Sequence, residues 1–189
     1  MPFLFGQRKV KITKPEFASV LDFCLSKGFE LEAPGESIAK SIAKTAEDID
    51  FEIRNETDSK RLFQELLILR MWVIIRSCTK VFRDADKRNA CLDIFHRNVY
   101  EAYYKDTTDQ GFTQWKKSLG LKYLEYEEAA EKTDKPGPMW WLAKVANQNI
   151  FGEVKKDPFM QMSIGDRIGT FMEYVDKVLE QTLKKSEIE

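Results

Sequence analysis

The sequence predicts an all-α protein, and three observations lead to that fold class. Apolar residues recur every three or four positions along most of the chain, and no segment alternates convincingly with a period of two. The most apolar stretch, residues 62–82, contains four charged residues, and each would cost about 2.5–3.5 kcal/mol at the centre of a bilayer. We therefore expect a single-domain bundle of six to seven helices around a central apolar helix at about residues 58–83, without integral membrane insertion.

Length, charge and cysteine content narrow the class of protein further. The chain has 189 residues and a formal net charge of −1, which suits one domain and does not favour nucleic acid as a partner. The three cysteines are widely spaced, and this favours reduced thiols in the cytoplasm over a disulfide framework. The first residues lack the charge order of a secretory signal peptide. We expect an N-terminal arm at residues 1–12 and one domain at 13–189.

The first two helices are predicted from their ends and from one apolar seam. Thr13 and Pro15 form a start signal for the first helix, and Gly28 supplies its stop. The second helix is expected at about residues 36–55. Its apolar seam has 3-4 spacing and consists of Ala39, Ile42, Ala46, Ile49 and Ile53. Such a narrow seam predicts packing against a neighbouring helix. The central helix at about 58–83 follows directly.

Three helices are predicted immediately after the central one. The first spans about residues 85–105, and Asp84 is placed to cap it. The next spans about 112–132, where Gly120 is expected to kink or interrupt the helix. A third spans about 139–151 and is ended by Gly152.

The last predicted helix begins at Ser163, where a capping-box pattern occurs. Gly165 and Gly169 lie four residues apart near its start. Because glycines at this spacing leave one side of a helix without side chains, they predict a tight crossing against a bulky neighbour such as Trp140 or Trp141.

Arg70 is the most informative single residue, because it is the only polar residue between Leu66 and Ile75. A guanidinium keeps its charge, so it requires a carboxylate, several carbonyl groups or access to solvent. One interpretation is a structural pair or a side chain that reaches water. The other is an anion-binding arginine at the floor of a pocket, assisted by Ser77 on the same helix face.

His96 is the only histidine in the chain. Asp93 precedes it by three residues, so the two side chains lie on one helix face, where they suit a base and its orienting carboxylate. One histidine is too few for a helical di-iron site. Neither a metal nor a cofactor is therefore expected.

We expect a non-enzymatic protein–protein interaction module, with self-association as one form of it. The sequence lacks the familiar nucleotide-binding and metal-binding motifs, and it offers aromatic residues suited to interfaces. The candidate interface residues are Trp140, Trp141, Phe3 and Phe5.

Two alternatives stay open. One is a small-molecule-binding or metal-dependent enzyme, in which Arg70, Glu65, Asp93 and His96 meet in a pocket between helices. The other is peripheral membrane association through the apolar residues at 3–5 and the basic residues that follow them.

Overall fold

The computed structural model describes residues 56–104, 108–151 and 158–186, which form five α-helices and contain no strand within these ranges. The helices are α1 Glu56–Val81, α2 Ala85–Tyr104, α3 Asp109–Glu131, α4 Pro138–Phe151 and α5 Pro158–Ser186. The predicted all-α class is confirmed for these residues. The first two predicted helices, the N-terminal arm and the basic residues near it lie outside the described residues. The count of six to seven helices therefore stays a prediction.

None of the five described helices is long and apolar enough to cross a membrane. This agrees with the expectation from the charged residues of the segment at 62–82.

Local signals explain where three of the connections fall. The Asp84 carboxylate accepts a hydrogen bond from the Lys87 amide at 3.0 Å, which confirms Asp84 as the cap of α2. The Thr108 hydroxyl accepts one from the Gly111 amide at 3.3 Å at the start of α3. Gly137 forms the turn into α4 at a φ of +115°. Few residues other than glycine adopt this positive-φ backbone conformation.

Helix α1 packs against each of the other four described helices. Its central side chains are almost completely buried on every side of the helix. They are Leu67, Leu69, Met71, Trp72, Val73 and Ile74. A helix that is apolar all round has to be covered all round, and the remaining helices supply much of that cover.

Helices α4 and α5 cross closely at the two glycines. A Cβ at Gly165 would lie 3.3 Å from the Met139 carbonyl oxygen and 3.4 Å from the Ala143 Cβ. A Cβ at Gly169 would lie 3.3 Å from the terminal methyl of Met139. The predicted tight crossing is confirmed, although its closest neighbours are Met139 and Ala143 and not the two tryptophans.

Candidate functional site

Arg70 and Ser77 lie inside the bundle. Each is 2% exposed, and the Arg70 guanidinium carbon lies 5.6 Å from the centre of the Phe171 ring on α5. A cation over an aromatic face is attracted by the ring quadrupole. Neither Arg70 nor Ser77 lines the groove described below. The packing thus places both among the core residues of α1.

His96 is also a core residue, and both of its ring nitrogens have partners. Its Nδ1 lies 2.6 Å from the Leu92 carbonyl oxygen, and its Nε2 lies 3.3 Å from the Tyr123 hydroxyl. Because a carbonyl only accepts hydrogen bonds, Nδ1 carries the proton and Nε2 accepts from Tyr123. Burial lowers the pKa of His96 to about 4 and raises the pKa of Tyr123. The pair is therefore neutral near pH 7.

The two carboxylates predicted to be site residues, those of Asp93 and Glu65, each form an ion pair with a lysine of α3. Asp93 forms an exposed ion pair with Lys116 at 2.5 Å. The His96 ring nitrogens instead contact the Leu92 carbonyl and the Tyr123 hydroxyl. Glu65 forms an ion pair with Lys122 at 3.3 Å. None of the three residues Glu65, Asp93 and His96 lines the groove between α1 and α3.

The groove between helices α1 and α3, here called the α1–α3 groove, has a volume of about 510 Å³. Its wall from α1 consists of Trp72, Ile75, Arg76, Thr79 and Lys80, and its wall from α3 consists of Gly120, Tyr123, Leu124 and Glu127. Its lining combines aromatic and aliphatic side chains with the charged side chains of Arg76, Lys80 and Glu127. A mixture of apolar and charged side chains is typical of recognition surfaces.

Glu127 ties the two walls of the α1–α3 groove together. Its carboxylate accepts a hydrogen bond from the Trp72 indole nitrogen at 3.1 Å and pairs with the Arg76 guanidinium. The Arg76 guanidinium carbon also lies 5.6 Å from the centre of the Trp72 ring. These contacts fix the directions of both side chains. Trp72 is 2% exposed, whereas the Arg76 side chain is 34% exposed, and arginine is enriched at binding hot spots.

The outer side of α3 carries a second feature, here called the α3 outer seam. It consists of Gln114, Lys117, Leu121, Leu124, Glu128 and Glu131, all of them exposed. These positions alternate in steps of three and four, so they form one stripe along the helix. Leu121 is 65% exposed and Leu124 is 59% exposed. Leu124 also lines the α1–α3 groove, so the two features form one continuous surface.

Charge changes sign along the α3 outer seam. Lys117 lies on the N-terminal side of the two leucines, and Glu128 and Glu131 lie on the C-terminal side. Within residues 56–104, 108–151 and 158–186, none of these three side chains takes part in an ion pair. Lys116 and Lys122, by contrast, are paired to Asp93 and Glu65. The seam thus presents exposed charges of both signs.

Trp140 and Trp141, two of the predicted interface residues, belong to neither the α1–α3 groove nor the α3 outer seam. Trp140 and Trp141 are both partly buried. The Trp141 ring centre lies 4.7 Å from the Lys132 ammonium and 5.2 Å from that of Lys144. Phe3 and Phe5 lie outside the described residues.

The α3 outer seam was not among the predicted site residues. It lies off the buried stripe of α3, which includes Leu119 and Tyr126. The missed signal is the pair of leucines off that stripe, with Lys117 four residues before the first and Glu128 four residues after the second.

Among the described residues, no group of three or more His, Cys, Asp and Glu side chains is placed to hold a metal ion. Comparisons of this chain with models of protein families, with curated proteins and with solved structures found no match.

Proposed function

We propose that this chain is a non-enzymatic protein–protein interaction module that receives a helix of its partner on the α3 outer seam and the adjoining α1–α3 groove. The observation that carries the proposal is the exposed pair Leu121 and Leu124 beside a groove lined by Trp72 and Tyr123. Single exposed apolar residues are ordinary, whereas a pair that adjoins an apolar groove forms a patch. Helix-in-groove recognition uses such patches.

A helix is the partner element that fits the stripe. The seam presents its two leucines three residues apart with polar positions on both sides, which is the spacing at which one helix packs along another. The side chains that line the groove add the residue types that anchor interfaces. The partner helix would therefore need an apolar stripe with charges at its two ends.

A photocrosslinking experiment tests this function. Benzoylphenylalanine is introduced in place of Leu124 in the full chain, and native cell extract is irradiated with the protein. Met162 on α5 is 61% exposed, and the same replacement there is the matched control. We expect a crosslinked protein from position 124, identified by mass spectrometry, and its loss when Leu121→Glu is added. Equal products from both positions, or none from position 124, contradict the proposal.

The proposal also includes the wider organisation expected from the sequence. The arm at residues 1–12 precedes one all-α domain at 13–189, with six to seven helices around the helix at 58–83. The contacts of α1 with every other described helix support that arrangement. A cytoplasmic location belongs to the same proposal, and the wide spacing of the three cysteines supports it.

A further inference from the structure

We infer that the occupant of the α3 outer seam is a second copy of this chain, with the two α3 helices packed antiparallel across a two-fold axis. The axis passes midway between Leu121 and Leu124. This inference rests on the proposed function, because it assigns a partner to the same surface.

The spacing of the charges carries the inference. Lys117 lies four residues before Leu121, and Glu128 lies four residues after Leu124. At a rise of about 1.5 Å per residue, both charged positions are therefore about 8 Å from the midpoint of the leucine pair. A two-fold axis at that midpoint places Lys117 opposite Glu128 of the second copy, and Glu128 opposite Lys117 of the second copy. Two ion pairs then enclose a centre of four leucines.

The next positions along the stripe obey the same symmetry. Gln114 and Glu131 are both exposed, and each lies three residues beyond the charged position on its side. Both are thus about 13 Å from the midpoint. In the antiparallel pair, a Gln114 amide faces a Glu131 carboxylate of the second copy, to which it can donate.

Orientation and overall charge also favour this arrangement. A two-fold interface has to be complementary to itself, and the seam meets that requirement only in the antiparallel direction. A parallel pair would place Lys117 against Lys117 and Glu128 against Glu128, which is repulsive. The net charge of −1 offers little repulsion between two copies.

The α1–α3 groove leaves room for the second helix. A Cβ built on Gly120 would have no atom within 4 Å, so the edge of the groove next to the seam is open. One helix pair buries less area than a permanent interface requires. The dimer is accordingly weak and forms as concentration rises.

Charge reversal on the full-length protein tests the inference. Sedimentation equilibrium from low to high micromolar concentration gives the dimer dissociation constant for Lys117→Glu, for Glu128→Lys and for the two changes combined. Each single change creates two like-charge contacts and should weaken the dimer about tenfold. The combined change restores both opposite-charge contacts and should return the constant to within about threefold of the original.

Two further variants locate the contact. Leu124→Glu should abolish association, whereas Met162→Glu, a matched change at an exposed position of α5, should leave the constant unchanged. Circular dichroism and thermal melting of the variants, measured at dilution where the chain is monomeric, establish that the fold is retained. An undiminished dimer in Leu124→Glu overturns the inference, and so does failure of the combined charge reversal to recover association.

The result also separates this inference from the proposed function. A strictly monomeric protein up to about 300 μM overturns self-association. If position 124 then crosslinks to a different protein in extract, the proposed function stands without this inference. If position 124 crosslinks to nothing, both fail.

Discussion

Helices α1 and α3 lie against each other, yet their apolar residues end in different environments. On α1, Leu69 and Val73 are both 0% exposed, and α1 contacts each of the other four described helices. On α3, Leu119 and Tyr126 are buried, whereas Leu121 and Leu124 face outward.

This difference separates residues that folding explains from residues that it does not. The apolar side chains of α1 are explained by packing within the chain. The outer leucines of α3 stay mostly exposed and gain little from that packing, so they mark the place where a role beyond folding is best sought.

The largest effect should come from making the same change on the two helices. Leu69→Ala removes a fully buried side chain and should lower the free energy of unfolding by about 3 kcal/mol. Leu121→Ala should change it by less than about 0.5 kcal/mol, because that side chain is already hydrated. Urea denaturation at low micromolar protein measures both. Similar losses for the two variants would erase the distinction between α1 and α3.

The inner side of α3 offers the next test, through the contact of Tyr123 with His96. Burial lowers the pKa of His96 to about 4 from its ordinary 6.5. Between pH 4 and pH 6.5, His96 is mostly protonated in the unfolded chain and mostly neutral in the folded chain, so acidification favours unfolding. The His96 contribution to stability is therefore complete above pH 6.5 and decreases as the pH falls towards 4. Between pH 7 and pH 5 the loss should be about 2 kcal/mol.

The variant His96→Gln isolates this contribution, because carboxylates titrate alike in both proteins. Urea denaturation at pH 7 and pH 5 should show a shallower decrease for the variant, by about 2 kcal/mol. Parallel decreases would mean that the inner side of α3 admits water to His96.

A smaller effect is expected at the crossing of α4 and α5, where the packing is closer still. Alanine in place of glycine favours a helix by about 1 kcal/mol. Gly169→Ala should keep most of that gain, because the atom it meets is the end of a flexible Met139 side chain. Gly165→Ala meets the Met139 carbonyl oxygen, and a backbone atom yields less readily. Thermal denaturation should rank Gly169→Ala above Gly165→Ala by about 1 kcal/mol; the reverse order would refute this account.

The smallest effect concerns the edge of the α1–α3 groove. Lys80 pairs with Asp176 at 2.5 Å, but the Lys80 side chain is 66% exposed. Lys80→Met should therefore cost less than about 1 kcal/mol. Raising the salt concentration should reduce the difference further, because ions screen exposed charges. A larger loss of unfolding free energy that does not change with salt would show that the packing of α1 against α5 depends on this ion pair.

Much of the described fold could be predicted from the sequence, because helical spacing and capping residues are local signals. Asp84, the predicted cap of α2, is an example. Gly120 was predicted to kink or interrupt its helix; the interruption is wrong, because α3 continues through it, and the kink stays a prediction. A single helical glycine costs only about 1 kcal/mol, which the buried neighbours Leu119 and Tyr126 outweigh. Helix α5 begins at Pro158, five residues before the predicted start at Ser163, and proline is suited to the first helical turn.

The candidate site was harder to predict than the helices. Which residues line a groove depends on how two helices pack, and the spacing along one helix does not contain that information. Glu127 illustrates this, since its role comes from Trp72 and Arg76, which lie more than fifty residues away in sequence. The α3 outer seam, by contrast, is visible in the sequence, because its two leucines and the charges beside them follow each other in steps of three and four residues.

The hydrogen bond from Trp72 to Glu127 has a practical consequence. The indole lies in the wall of the α1–α3 groove, and its polar nitrogen is held by the carboxylate that closes that wall. The indole ring itself is 2% exposed, so a bound partner would meet the carboxylate and not the ring. A partner that binds there and redirects Glu127 alters the electric field around the indole. In a variant whose other three tryptophans are replaced by phenylalanine, the emission of Trp72 would therefore report occupancy of the groove.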